Sequence, residues 1–138
     1  MKKIIILSLA ALGIAVLLCG CSPQQPLEDN WGVALPDNGE FSYYLREGKS
    51  VYGSRYSVYS YTEDNSKVAA WCIWKKDAAL TEKAAEYIAE LDIPADYCTD
   101  FTDFYCWYKE QEGNELFILW QEDGDTVYAV EHFSDPTA

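Results

Sequence analysis

Between residues 40 and 133 the polar and apolar positions fall into six extended segments and one helix. Phe41 to Arg46 is a short β run ending in Glu47-Gly48-Lys49. From Arg55 to Thr62, Tyr56, Val58 and Ser60 alternate with Ser57, Tyr59 and Tyr61, the period of a strand with two distinct faces. Glu63-Asp64-Asn65-Ser66 has turn composition, so Lys67 to Trp74 is expected to return as a second strand. That hairpin would set Val58 opposite Trp71, Tyr56 opposite Ile73 and Tyr59 opposite Ala70, joining aromatic to apolar side chains. Val68 to Trp74 is apolar without alternation, as in a central strand covered on both faces.

Thr81 is the expected cap of a helix running to about Leu91. Glu82 and Glu86 favour its N-terminal half, while Ala84, Tyr87, Ile88 and Leu91 fall on one face, and Pro94 stops it. A helix this short needs a sheet beneath its stripe. Asp96 to Asp100 connects to Phe101–Glu110, and the last two strands, Glu115 to Glu122 and Asp125 to Phe133, meet at Asp123-Gly124, a pair suited to a type I′ turn. The order βββαβββ predicts an α+β domain over residues 37–138: an antiparallel sheet of about six strands with its helix on one face. One helix cannot cover six strands. The sheet therefore either curls toward a half-open barrel or leaves an aromatic-rich face exposed.

Ahead of this domain stands a different kind of segment. Lys2 and Lys3 precede an apolar run from Ile4 to Leu18 interrupted by Ser8, and Gly20 stands just before Cys21, the layout of an export signal. A retained membrane span would also place the rest outside the cytoplasm. Leu18-Cys19-Gly20-Cys21 resembles the lipobox of bacterial lipoproteins, although Cys19 departs from the commoner Ser or Ala. The resemblance covers the first 21 residues and implies cleavage after residue 20, with a diacylglyceryl group on the Cys21 sulfur. It thus implies a chain anchored to the membrane through Cys21 and facing outside the cytoplasm, in the cell membrane or envelope. Residues 21–36 then comprise the lipidated Cys and a Pro/Gln-rich flexible tether, whose nine residues from Ser22 to Asn30 would span roughly 25–30 Å if extended.

Charge narrows the partners. The chain has 23 acids against 10 bases, a net charge of −13, and lacks the clustered Lys and Arg that phosphate binding requires, so no nucleic acid is expected. Its 15% aromatic content, with 11 Tyr and 5 Trp, nevertheless supplies ample surface for a folded core. After lipidation of Cys21 and loss of Cys19, three thiols remain: Cys72, Cys98 and Cys106, with Cys98–Cys106 the most local pairing. Their spacing does not suit a metal site.

Little in the sequence points to catalysis. The only His, His132, falls opposite Glu115 if the last turn is Asp123-Gly124, and a carboxylate beside imidazole is a general-base arrangement. No nucleophile motif accompanies it, so the pair reads as an exposed cross-strand contact. The acids Asp96, Asp100 and Asp103, and Glu122, Asp123 and Asp125, read as solvated turn residues, because the EF-hand pattern is absent. No Walker loop, GxGxxG, HExxH or GxSxG occurs, and no cofactor is expected. Tyr59, Tyr61, Trp74, Tyr105 and Trp107 are candidate ligand contacts, since such rings suit interfaces and sugar stacking. The composite expectation is a non-catalytic binding module for an envelope protein or glycan. The alternatives are a small envelope hydrolase using acidic residues and an inhibitor or immunity-type lipoprotein.

Overall fold

The structure is a computed structural model that describes residues 24–36, 39–46, 51–61, 68, 74–122 and 124–138. The chain divides into two compact units, Met1–Ala34 and Leu35–Ala138. In the first, the described residues 24–34 hold helix α1 (Gln24–Trp31), where composition alone predicts an extended tether. Pro26 lies in its first turn, where a missing N–H removes no intrahelical bond, and the Gly32 N–H closes the helix on the Glu28 carbonyl (2.8 Å). Helical residues advance about 1.5 Å each, half the reach of an extended chain. The export segment, Cys19 and Cys21 lie outside the described residues. Among the described residues no helix is long and apolar enough to cross a membrane.

The second unit is an α+β domain. Its strands are β1 (Gly39–Arg46), β2 (Gly53–Tyr61), β3 (Tyr105–Gln111), β4 (Asn114–Trp120) and β5 (Thr126–Phe133), with helix α2 (Ala78–Ala89) between β2 and β3. They form an open sheet in the order β1-β2-β5-β4-β3, antiparallel throughout. The described strands number five rather than about six, and the predicted strand Lys67–Trp74 lies largely outside the described residues.

The hairpin expected for that segment is corrected by the register of β2. Val58 pairs with Tyr43 and Tyr128, Tyr56 with Leu45 and Val130, and Tyr59 with Phe41 and Val127, so both sides of β2 are taken. The physical reason is the long-range β2–β5 pairing, which gives β2 apolar partners that a local turn rule cannot anticipate. The unbroken apolar run of an interior strand belongs to β4, buried from Glu115 to Trp120.

Helix α2 starts earlier than Thr81 suggests. Asp77 is the cap, its Oδ1 accepting the Leu80 N–H (3.2 Å), and the Thr81 hydroxyl turns back to donate to the carbonyls of Asp77 and Ala78. The predicted apolar stripe holds: Ala84, Ile88 and Leu91 pack in one core with Tyr56, Val58, Phe117, Leu119 and Val130, while Tyr87 lies at its margin. Burial of each large side chain contributes about 1.5–3 kcal/mol. Phe101 and Phe104 extend this core through edge-on contacts with Tyr128 rather than through strand pairing. The Phe104 N–H bonds the Phe101 carbonyl in a turn, so β3 begins only at Tyr105.

The two-residue turn with positive φ at both central positions is Glu112-Gly113 (φ 54° and 81°), closed by the pair Gln111–Asn114. At the β4–β5 connection the predicted register holds, with Trp120 opposite Val127 and Glu115 opposite His132. The turn bond there runs from the Gly124 N–H to the Gln121 carbonyl (2.9 Å), and Asp123 lies outside the described residues. At the start of β1, Gly39 lies against β2 so closely that a Cβ would stand 2.3 Å from the Ser60 carbonyl oxygen.

The expected exposure of an aromatic face is not met over its central part. On the side away from α2, Leu116, Ile118, Trp120, Val127, Ala129 and Tyr59 are buried.

Candidate functional site

Two places combine reactive or recognisable groups. The first forms where β2, β4 and β5 bring polar residues under α2. Register puts Glu115 opposite His132 and His132 opposite Ser54. Glu115 is not solvent-exposed as the sequence suggests: it is 6% accessible and accepts from Lys83 Nζ (2.5 Å), Tyr87 Oη (2.5 Å) and Tyr108 Oη (2.8 Å). The physical reason is α2, whose Lys83 and Tyr87 lie one turn apart and both reach the strand end. His132 Nδ1 is 3.0 Å from Ser54 Oγ, and its ring stacks on Tyr87 at 4.1 Å with planes 6° apart.

Electrostatics follow from these bonds. Burial pushes the Glu115 carboxyl up, but the donations from Lys83, Tyr87 and Tyr108 together outweigh it and hold the group below the ordinary glutamate value. Burial, and then donation to the Glu115 carboxylate, push the Tyr87 and Tyr108 phenols well above their ordinary value. Hydroxyl, imidazole and carboxylate are all present. Ser54, however, is only 1% accessible, and the carboxylate serves the helix donors. The cluster fastens α2 to β3 and β4.

The second place is the edge formed by β3. Lys75, just before α2, makes an isolated antiparallel bridge to Cys106: the Cys106 N–H donates to the Lys75 carbonyl (2.7 Å) and the Lys75 N–H to the Cys106 carbonyl (3.4 Å). Main-chain groups alternate in direction along a strand, so those of Tyr108 and Glu110 point the same outward way. Beside this edge opens a cavity of about 370 Å³ lined by Lys75, Asp77, Leu80, Cys106, Trp107 and Tyr108. On the other face Lys76 Nζ stands 5.1 Å above the Tyr105 ring.

The five predicted contact residues divide between buried and accessible positions. Tyr59 is 1% accessible and donates its hydroxyl to the Pro36 carbonyl. Tyr61 is 2% accessible; its hydroxyl donates to the Gly124 carbonyl (2.6 Å) and accepts from Trp120 Nε1 (2.7 Å). Trp74, Tyr105 and Trp107 remain half-buried, and Trp74 and Tyr105 flank Trp120 at 5.2 and 6.0 Å. The lipidation residue Cys21 lies outside the described residues.

Cys98 and Cys106 do not form the local disulfide. The Cys98 thiol is free and exposed, whereas Cys106 is buried in the core, so the two sulfurs belong to different environments. Cys72 lies outside the described residues. Asp100 accepts from the Thr102 N–H (3.0 Å) and hydroxyl (2.5 Å), which hold its carboxyl below the ordinary aspartate range. Among the described residues no three His, Cys, Asp or Glu side chains converge as a metal site.

Sequence reasoning found Glu115 and His132 but missed Lys83, Tyr108 and Ser54. Lys83 was legible as one turn before Tyr87; Ser54 was not, because its approach to His132 depends on the β2–β5 pairing. Comparison of the chain with family models, with characterised proteins and with solved structures finds no match.

Proposed function

We propose that the chain is a lipoprotein held outside the cytoplasm by a diacylglyceryl group on Cys21, and that its α+β domain is a non-catalytic binding module. The leader, Lys2-Lys3 followed by an apolar run to Leu18 and Cys21, supports the anchoring. The observation that carries the binding reading is the saturation of Glu115. The carboxylate best placed to assist His132 is engaged by Lys83, Tyr87 and Tyr108, with Ser54 buried beside them. An open cavity lies instead at β3, lined in part by Trp107 and Tyr108. Mixed apolar and polar lining of this kind favours recognition of an envelope protein or glycan.

The test is a turnover screen on envelope glycans, peptides and esters with the wild-type chain and the Glu115→Gln and His132→Ala variants. No turnover is the expected result. Cleavage by the wild type that both variants lose would overturn the non-catalytic reading.

A further inference from the structure

We infer that the cavity beside β3 binds a free α-amino acid with an apolar side chain, its carboxylate on Lys75 and its ammonium on Asp77. This rests on the binding-module reading above and goes beyond it by giving the cavity a small-molecule ligand. The Lys75–Cys106 bridge sets the geometry. Residues opposite one another in an antiparallel pair share a face, so Lys75 lies on the Cys106 side of the sheet and Lys76 on the other. The Lys76 ammonium accordingly stands over the Tyr105 ring. Asp77 is extended (φ −141°, ψ 105°), and alternation returns its side chain to the side of Lys75. The cavity lining agrees, since it includes both Lys75 and Asp77.

Two residues apart on extended backbone, the Cα atoms of Lys75 and Asp77 are about 6.5–7 Å apart. A ligand that carries ammonium and carboxylate on one carbon can bridge them with a charge-assisted bond to each. Asp77 Oδ1 accepts the Leu80 N–H (3.2 Å), and a carboxylate accepts at both oxygens, so helix cap and ligand use different atoms. The rest of the lining is Leu80, Cys106, Trp107 and Tyr108, and suits an apolar side chain. The Tyr108 hydroxyl is given to Glu115 (2.8 Å), which leaves its ring as a wall. At about 370 Å³ the cavity falls at the low end of small-molecule sites, which span roughly 300–1,000 Å³, as a ligand of amino-acid size requires. Charge selects the zwitterion. A chain of net charge −13 repels an anion and attracts a simple amine to many carboxylates, whereas a ligand of no net charge gains only where one base and one acid stand together.

The probe is leucine, with N-acetylleucine, which lacks the ammonium, and leucinamide, which lacks the carboxylate, as comparisons. Each is titrated by calorimetry at pH 7 into the full chain in non-ionic detergent. Leucine is expected to bind about ten-fold more tightly than either derivative, a difference of about 1.4 kcal/mol. Lys75→Gln leaves the main-chain bridge to Cys106 intact; it should weaken leucine about ten-fold and abolish the preference over leucinamide. Asp77→Asn keeps a helix cap while removing the charge, and should abolish the preference over N-acetylleucine. Lys76→Gln, on the opposite face, should bind leucine as the wild type does. Equal binding of either derivative by the wild type overturns the inference, as does a loss in Lys76→Gln that matches the loss in Lys75→Gln. Absence of leucine binding by a chain that also cleaves nothing in the turnover screen overturns this inference alone and leaves the binding module standing.

Discussion

Replacing Glu115 by Ala removes the acceptor that joins α2 to β3 and β4. Hydrogen bonds to a charged group are worth about 1.5–3 kcal/mol each, and two come from tyrosine hydroxyls. Lys83 is 46% accessible and can return to water, so its share is under about 1 kcal/mol. Relief of the carboxylate's own desolvation and rehydration of the half-buried phenols reduce the total, leaving a loss of about 2–4 kcal/mol. With a urea slope of about 1.5 kcal/mol/M, the unfolding midpoint should fall by roughly 2 M. Dependence on pH separates this from a general packing loss. The folded carboxyl lies below its unfolded value of 4.5, so its contribution is present above about pH 4.5 and disappears as pH falls through the folded value. The gap between wild type and Glu115→Gln, read from urea melts at a series of pH values, should therefore be constant near neutrality and close in acid. A midpoint unchanged in Glu115→Ala, or a gap that does not narrow as pH falls below about 4.5, would refute the reasoning.

Tyr108→Phe probes the alkaline side of the same cluster. Its phenol is raised in the fold, so its contribution is full below about pH 10 and lost as pH climbs toward the folded value; the variant should show a shallower alkaline loss in pH-dependent melts. Phe117, fully buried beneath α2, should cost about 3–5 kcal/mol as Phe117→Ala by chemical denaturation. Gly113→Val places a β-branched residue at φ 81° and should destabilise by more than about 1 kcal/mol, while Asn at the same position should be nearly neutral. In a Cys72→Ala background, a thiol reagent should label Cys98 in the native protein and Cys106 only after denaturant is added.

What was legible in the sequence was local or periodic. The α2 stripe of Ala84, Ile88 and Leu91 and the Glu115–His132 register both followed from short-range spacing, and both are present. Where two local solutions competed, the chain's ends decided: β2 pairs with the distant β5, so its supposed hairpin with Lys67–Trp74 has no side left to occupy. The helix cap moved because Asp77 supplies a side-chain acceptor one turn before Thr81. For the candidate site, Tyr105 and Trp107 were identifiable as strand aromatics. The burial of Tyr59 and Tyr61 was not, since alternation assigns a residue to a face without saying what covers it.

The anchored binding module stands or falls on the chemistry of one sulfur. Intact-mass and N-terminal peptide mass spectrometry of the protein from its native membranes should find a chain beginning at Cys21 with a diacylglyceryl thioether. A chain that retains residues 1–20, or begins at an unmodified Cys21, contradicts the account.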